Sequence, residues 1–246
     1  MPGGVDYSTA LGFSALNSNT TGYQNTALGS HTLANNTSGY RNTAVGTHTL
    51  YFNTIGNYIT AFGTIGLQGI SNGLYNTAVG DSALVSLTSG DTNTALGASA
   101  GVGITSVSTS TFVGGLATAT VNGLTNATAI GYGAQVSQSN SLILGAGANV
   151  GIGTSAPAYK LDVAGTGSFQ GIRISSGAVN NYVLTSDASG NARWAAASGG
   201  GWQLTGNTGT SSGTNYIGTS DNMDVIFKRN NVRAGWLNSI LGNTSW

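Results

Sequence analysis

The chain has 246 residues and almost no charge: seven Lys and Arg, seven Asp and no Glu, for a formal net charge of +0 at pH 7. Nothing in that balance steers nucleic acid or an anionic membrane surface. Forty Gly with only two Pro exclude collagen, and the absence of Cys excludes disulfide scaffolds and Cys-based metal sites. The opening MPGGVDYSTALG has neither the basic region nor the apolar stretch of a secretion signal. No run reaches the roughly eighteen apolar residues of a membrane span, so a role at a surface would need an anchor on another segment or a partner.

From residue 9 the chain writes Thr-(Ala/Phe)-hydrophobic-Gly eight times at a fixed step of 17 residues. The copies start at Thr9, Thr26, Thr43, Thr60, Thr77, Thr94, Thr111 and Thr128. Further columns keep the step: Asn before the Thr (Asn25, Asn42, Asn76, Asn93), an apolar residue four places after the motif Gly (Leu16, Leu33, Leu50, Leu67, Leu84), and a second Gly (Gly22, Gly39, Gly56, Gly73, Gly90). Tyr23, Tyr40, Tyr58 and Tyr75 follow that second Gly. An unbroken period is the mark of a repeat architecture, and 17 residues are too few for a helical pair, which needs about 33. The unit reads as a short strand, a Gly corner, a second short strand and a polar turn. Its fixed glycines mark corners with positive φ or close backbone approach. One coil of a parallel β-solenoid fits, with eight coils rising about 40 Å at the 4.8 Å strand spacing. Near-absence of charge follows, because a charge in a repeated slot would stack on its own copy, whereas Asn, Thr and Ser can form hydrogen-bonded ladders.

Alternation along each strand sends two apolar columns to opposite faces. The small column is Ala10, Ala27, Ala44, Ala61, Ala78, Ala95, Phe112 and Ala129; the large one is Leu11, Leu28, Val45, Phe62, Val79, Leu96, Val113 and Ile130. A narrow coil buries one of them, and the other is an interface stripe. The large column is accordingly expected to line the core or the shared axis of a homo-oligomer.

The rhythm changes after Gln135, with residues 141–145 reading as a last degenerate coil. Ten of the fourteen charged residues lie beyond position 157. Residues 182–185 and 192–195 flank DASGN as a hairpin, and residues 225–228 turn at Asn230-Asn231 into a second hairpin strand, 232–237. Ser198-Gly199-Gly200-Gly201 reads as a linker. The closing GNTSW resembles the opening of another repeat, which predicts a longer natural chain. The organisation expected is a repeat head over 1–137, a transition over 138–165, a hairpin neck over 166–199 and a small β-rich module over 200–246.

NTALGSHTL, NTAVGTHTL and NTAVGDSAL resemble the head repeats of trimeric autotransporter adhesins, over roughly residues 8–145. NVGIGTSAPAYKLDVAG is similar to segments of phage-type tail fibres. The resemblance implies left-handed parallel β-rolls, three chains per head, in an extracellular fibre that binds a surface; the 17-residue period is longer than the usual adhesin repeat. Neither resemblance carries catalytic residues.

Candidate chemistry is sparse. Gly97-Ala98-Ser99-Ala100-Gly101 matches a nucleophile elbow, but both His lie upstream and Ser99 shares a slot with Ser14 and Ser82. His31 and His48 occupy one slot in adjacent coils; they are weak metal candidates, read foremost as ladder residues. Asp81 and Asp91 are read as turn residues rather than a glycosidase pair. GVGIGT and GAGANVG lack the Lys of a phosphate loop. Tyr23, Tyr40, Tyr58 and Tyr75 either cap coils or face a receptor. Lys228, Arg229 and Arg233 read as a solvated hairpin end. The sequence thus predicts an all-β chain: a parallel β-solenoid (β-roll) of 17-residue coils, homotrimeric, followed by a small β-rich neck and module. It is expected to act without catalysis or cofactor as a bacterial-surface or virion fibre binding itself and a surface glycan or protein receptor. A phage-type tail fibre is the nearer alternative and a solenoid polysaccharide depolymerase the further one.

Overall fold

The computed structural model describes residues 6–196 and the strand segments 225–229, 232–237 and 244–245. The described residues are all-β and divide into two units, Met1–Gly167 and Ser168–Trp246. The first is a parallel β-solenoid. Strands β1 (Thr9–Leu11), β2 (Thr26–Leu28), β3 (Thr43–Val45), β4 (Thr60–Phe62), β5 (Thr77–Val79) and β6 (Thr94–Leu96) each carry one motif copy. They are followed by β7 (Val107–Ser108), β8 (Thr111–Val113), β9 (Thr118–Ala119), β10 (Leu124–Thr125), β11 (Ala127–Ile130), β12 (Gln135–Val136) and β13 (Ser141–Leu144). One nine-stranded sheet runs β1-β2-β3-β4-β5-β6-β8-β11-β13, parallel throughout. Thr stacks on Thr and Ala on Ala in register through β1 to β6. The final strand keeps the stack with a shorter coil, since Ala127 pairs with Ser141 and Ala129 with Ile143.

The small column is the one inside. Ala27, Ala44, Ala61, Ala78, Ala95, Phe112 and Ala129 are buried, and Leu33, Leu50, Leu67, Leu84, Ile70 and Leu87 complete the core.

The second limb of the early coils departs from expectation. It is a run of turns, not a strand, because two residues in each coil take left-handed backbone: Ser14, His31, His48, Ile65, Ser82 and Ser99 in one column, and Leu16, Leu33, Leu50, Leu67 and Leu84 two places on. Coil-to-coil hydrogen bonding survives, as in Leu33 N to Thr49 O at 3.1 Å and Leu50 N to Gly66 O at 3.1 Å. A left-handed non-Gly residue costs about 1–2 kcal/mol, and burying a Leu side chain contributes about 1.5–3 kcal/mol. Burial therefore outweighs the strain at the leucines. Short second and third strands pair only in the later coils, β7 with β10 and β9 with β12.

Both glycine columns are required by close approach. Gly46 sits at φ 132°, and a Cβ there would strike the Gly63 carbonyl of the next coil. Gly39 has no positive φ, yet a Cβ on it would strike the Gly56 carbonyl and the Asn36 amide.

Buried polar ladders replace charge in the core. Asn42 Nδ2 donates to the Gly56 carbonyl at 2.8 Å while its Oδ1 accepts from Ile59 N at 3.0 Å. Asn36 donates to Asn19 Oδ1, and Asn53 to Asn36 Oδ1, each at 2.9 Å. Thr32 and Thr49 hydroxyls donate to the carbonyls of Gly46 and Gly63.

Beyond the solenoid, β14 (Val150–Ile152) pairs in parallel with β15 (Leu161–Val163). In the second unit β16 (Tyr182–Ser186) and β17 (Ala192–Ala196) form an antiparallel hairpin whose Asp187 carboxylate accepts from Ser189 N and Asn191 N, both at 2.9 Å. Strands β18 (Val225–Arg229), β19 (Val232–Leu237) and β20 (Thr244–Ser245) form an antiparallel sheet. The expected turn at Asn230-Asn231 and the linker at 198–201 lie outside the described residues.

Candidate functional site

The outer face of the nine-stranded sheet carries the large column. Leu11, Leu28, Phe62, Leu96 and Ile130 are exposed, Phe62 at 41%, and Val45, Val79 and Val113 are half-buried. These side chains form no part of this chain's core, so the core alternative for that column is excluded. The cause is alternation: with Ala inside, its neighbours on both sides face out, and the motif Thr shares the outer face. The three charged residues between positions 7 and 159, Arg41, Asp81 and Asp91, all lie outside these strands. The result is a charge-free, two-column surface of hydroxyls and apolar side chains in register from strand to strand.

A second surface runs along the corner after the second glycine column. Gln24, Arg41, Tyr58, Tyr75, Thr92, Thr109 and Asn126 occupy one slot, every one in left-handed backbone. Tyr23 and Tyr40 occupy the slot before it. The Tyr23 and Tyr40 rings stack at 4.8 Å and 2°, and Tyr58 and Tyr75 at 4.8 Å and 15°, while Tyr40 meets Tyr58 edge-on at 5.4 Å. Arg41 ties the row together. Its Nε donates to Gln24 Oε1 at 2.8 Å, a terminal nitrogen donates to the Tyr58 hydroxyl at 2.7 Å, and its guanidinium carbon lies 5.4 Å from the Tyr58 ring centre. The hydrogen bond with Tyr58, then repulsion from a Tyr58 phenolate, pushes the Tyr40 hydroxyl above its ordinary pKa. Stacking within each pair covers one face of each ring, while Tyr23 and Tyr75 at the ends of the row stay exposed. Sequence reasoning found these tyrosines but missed Arg41, whose partners sit one coil away on either side and are visible only once the 17-residue columns are laid out.

His31 and His48 stack at 4.7 Å and 7°. Ser30 Oγ lies 2.9 Å from His31 Nδ1, and Phe13 and Tyr51 pack around the pair. Parallel rings at that separation point their nitrogens along parallel lines rather than at one centre. Among the described residues no group of three His, Cys, Asp or Glu converges on a point. Phe13 and Tyr51, the aromatic residues around this pair, keep no column of the repeat and so carry no signal in the sequence.

Ser99 takes the same left-handed slot as Ser14 and Ser82, in a turn rather than at a strand-to-helix elbow. Asp91 Oδ1 accepts from Leu74 N at 2.8 Å, the same contact that Asn57 makes to Tyr40 N earlier in the stack. Asp81 accepts from the Ser82 hydroxyl at 2.9 Å after a different corner. Both carboxylates are exposed turn residues. Lys228, Arg229 and Arg233 fall on β18 and β19, with Lys228 paired to Arg233 across the ladder.

Compared with protein-family models, curated proteins and solved structures, the chain matches none.

Proposed function

We propose that this chain is a non-enzymatic segment of a homotrimeric extracellular fibre that attaches multivalently to a surface. The observation that carries the reading is the uncovered apolar column of Leu11 to Ile130, running the length of a charge-free sheet. An aligned apolar stripe of this length marks an interface, and burying each such side chain is worth about 1.5–3 kcal/mol. No charge has to be desolvated to cover it. Three chains meeting there would present the Tyr corner three times, so that weak contacts to a glycan or protein receptor gain avidity. The exposed rings of Tyr23 and Tyr75 suit contacts with such a receptor. A bacterial surface adhesin and a phage-type tail fibre share this architecture, and the repeat motifs favour the adhesin.

Light scattering after size exclusion tests it. The reading requires three times the 24.5 kDa chain mass; a stable monomer would overturn it and bring a solitary solenoid forward.

A further inference from the structure

We infer that the eight motif threonines form the hydrogen-bonding half of a seam in which copies of this chain meet face to face and in register along the nine-stranded sheet. The inference rests on the trimeric-fibre reading and specifies how the copies meet. Alternation places Thr9, Thr26, Thr43, Thr60, Thr77, Thr94, Thr111 and Thr128 on the same outer face as the large apolar column. Every one is exposed or half-buried, and among the described residues no intrachain hydrogen bond takes up their hydroxyls. Other threonines of the solenoid behave differently. Thr20, Thr37, Thr54 and Thr88 each donate to a carbonyl of the following coil, at 2.8 to 3.0 Å.

The neighbouring slot accepts Leu, Val, Phe or Ile, so strand propensity alone would be satisfied by a β-branched hydrocarbon in the Thr slot as well. The coils nevertheless all keep a hydroxyl that the single chain does not use. Covering the apolar column would also cover this row, and a buried hydroxyl without a partner is costly. The cover must therefore repeat a donor or acceptor at the spacing of the strands for eight coils, with an apolar row beside it and no charge. Another copy of this chain has that pattern. A hydroxyl both donates and accepts, so identical threonines meeting around a rotation axis can pair with one another without any charge or asymmetry.

The absence of native Cys makes the geometry testable in the full chain. Single variants Thr60→Cys and Phe62→Cys are expected to give disulfide-linked dimers on mild oxidation, and Ser38→Cys, exposed on the Tyr-corner limb, is not. If light scattering shows a trimer while the Thr60→Cys and Phe62→Cys chains both stay unlinked, the face-to-face seam is overturned and the fibre reading stands. A wild-type monomer would remove both. Because Thr60→Val/Thr77→Val removes donor and acceptor together in its own homo-oligomer, the hydroxyls are tested by mixing. Tagged wild-type chains refolded with Thr60→Val/Thr77→Val chains should form mixed oligomers several-fold below the statistical proportion, since each remaining hydroxyl would be buried against a Val, whereas Thr60→Ser/Thr77→Ser chains should mix statistically. Statistical mixing of the Val variant would refute the role of the hydroxyls.

Discussion

Phe112 and Gly101 exchange bulk within the core. Phe112 stands in the small column where every other copy of the motif carries Ala, and Gly101 stands where five earlier coils place Leu. A Cβ on Gly101 would lie 3.4 Å from Phe112 Cδ2 and would collide with Leu84 Cδ2. The larger ring is accommodated because the leucine is missing.

A double-mutant cycle reads this directly. Phe112→Ala should cost about 3–5 kcal/mol in urea unfolding, as for other buried aromatics cut to Ala. Gly101→Leu alone should also destabilise, by about 1–3 kcal/mol of overpacking. Together they rebuild the arrangement of the earlier coils, at a backbone φ of 72° where the same slot elsewhere carries Leu at about 50°. The pair should therefore be less destabilised than the sum of the two by more than about 1 kcal/mol. Additivity would show that the two sites do not share space.

The 17-residue period made most of this fold legible. Strand register, the parallel sheet, the in-register Thr and Ala columns and the Asn ladders follow from one spacing. The hairpins of the second unit were also readable, from turn residues between apolar runs. What misled was the second limb. Leu16, Leu33, Leu50, Leu67 and Leu84 look like strand positions, because aliphatic residues rarely accept left-handed backbone; the strain is sustained by burial that is visible only in three dimensions. Likewise, both columns are apolar, and hydrophobicity alone would put the larger one inside. Only the narrow interior, which has room for Ala between coils, decides that the large column faces out.

The Asn19-Asn36-Asn53 ladder ends at Ile70, and Asn53 Oδ1 is left buried without a partner. Asn36 is held on both sides, and Asn53 on one. Asn36→Ala strands Asn19 Oδ1 and removes the acceptor of Asn53, so it should cost about 2–3 kcal/mol. Asn53→Ala sacrifices no bond at its Oδ1 and should cost about 1 kcal/mol less. Urea midpoints at constant m-value give the order, and a reversed order would refute the ladder account.

Thr92 is an exposed β-branched residue at φ 60°. Its backbone amide bonds Leu74 O at 2.8 Å, and that bond does not depend on the side chain. Asn tolerates the left-handed region better than Thr, so Thr92→Asn should raise stability by about 0.5–1 kcal/mol, whereas Thr92→Val should lower it. A Thermofluor or calorimetric ranking of Asn above Thr above Val checks the claim.

The tyrosine row makes its own prediction at alkaline pH. Tyr40 has its pKa raised above 10.0 in the folded chain, first by the hydrogen bond with Tyr58. A raised pKa on an acid means that the folded state holds the proton more tightly than the unfolded one. The resulting stabilisation is fully present below the ordinary value of 10.0 and is lost as pH rises through the folded value. Tyr58→Phe removes both the hydrogen bond and the phenolate charge that opposes ionisation of Tyr40. Ultraviolet titration of the phenolate band should accordingly show one tyrosine ionising earlier in Tyr58→Phe than in wild type. Arg41→Gln, which frees the Tyr58 hydroxyl from its cationic donor but removes none of the Tyr58 influences on Tyr40, should keep that late-ionising tyrosine. If Tyr58→Phe leaves the titration curve unchanged apart from the missing group, the Tyr40–Tyr58 bond does not set the shift.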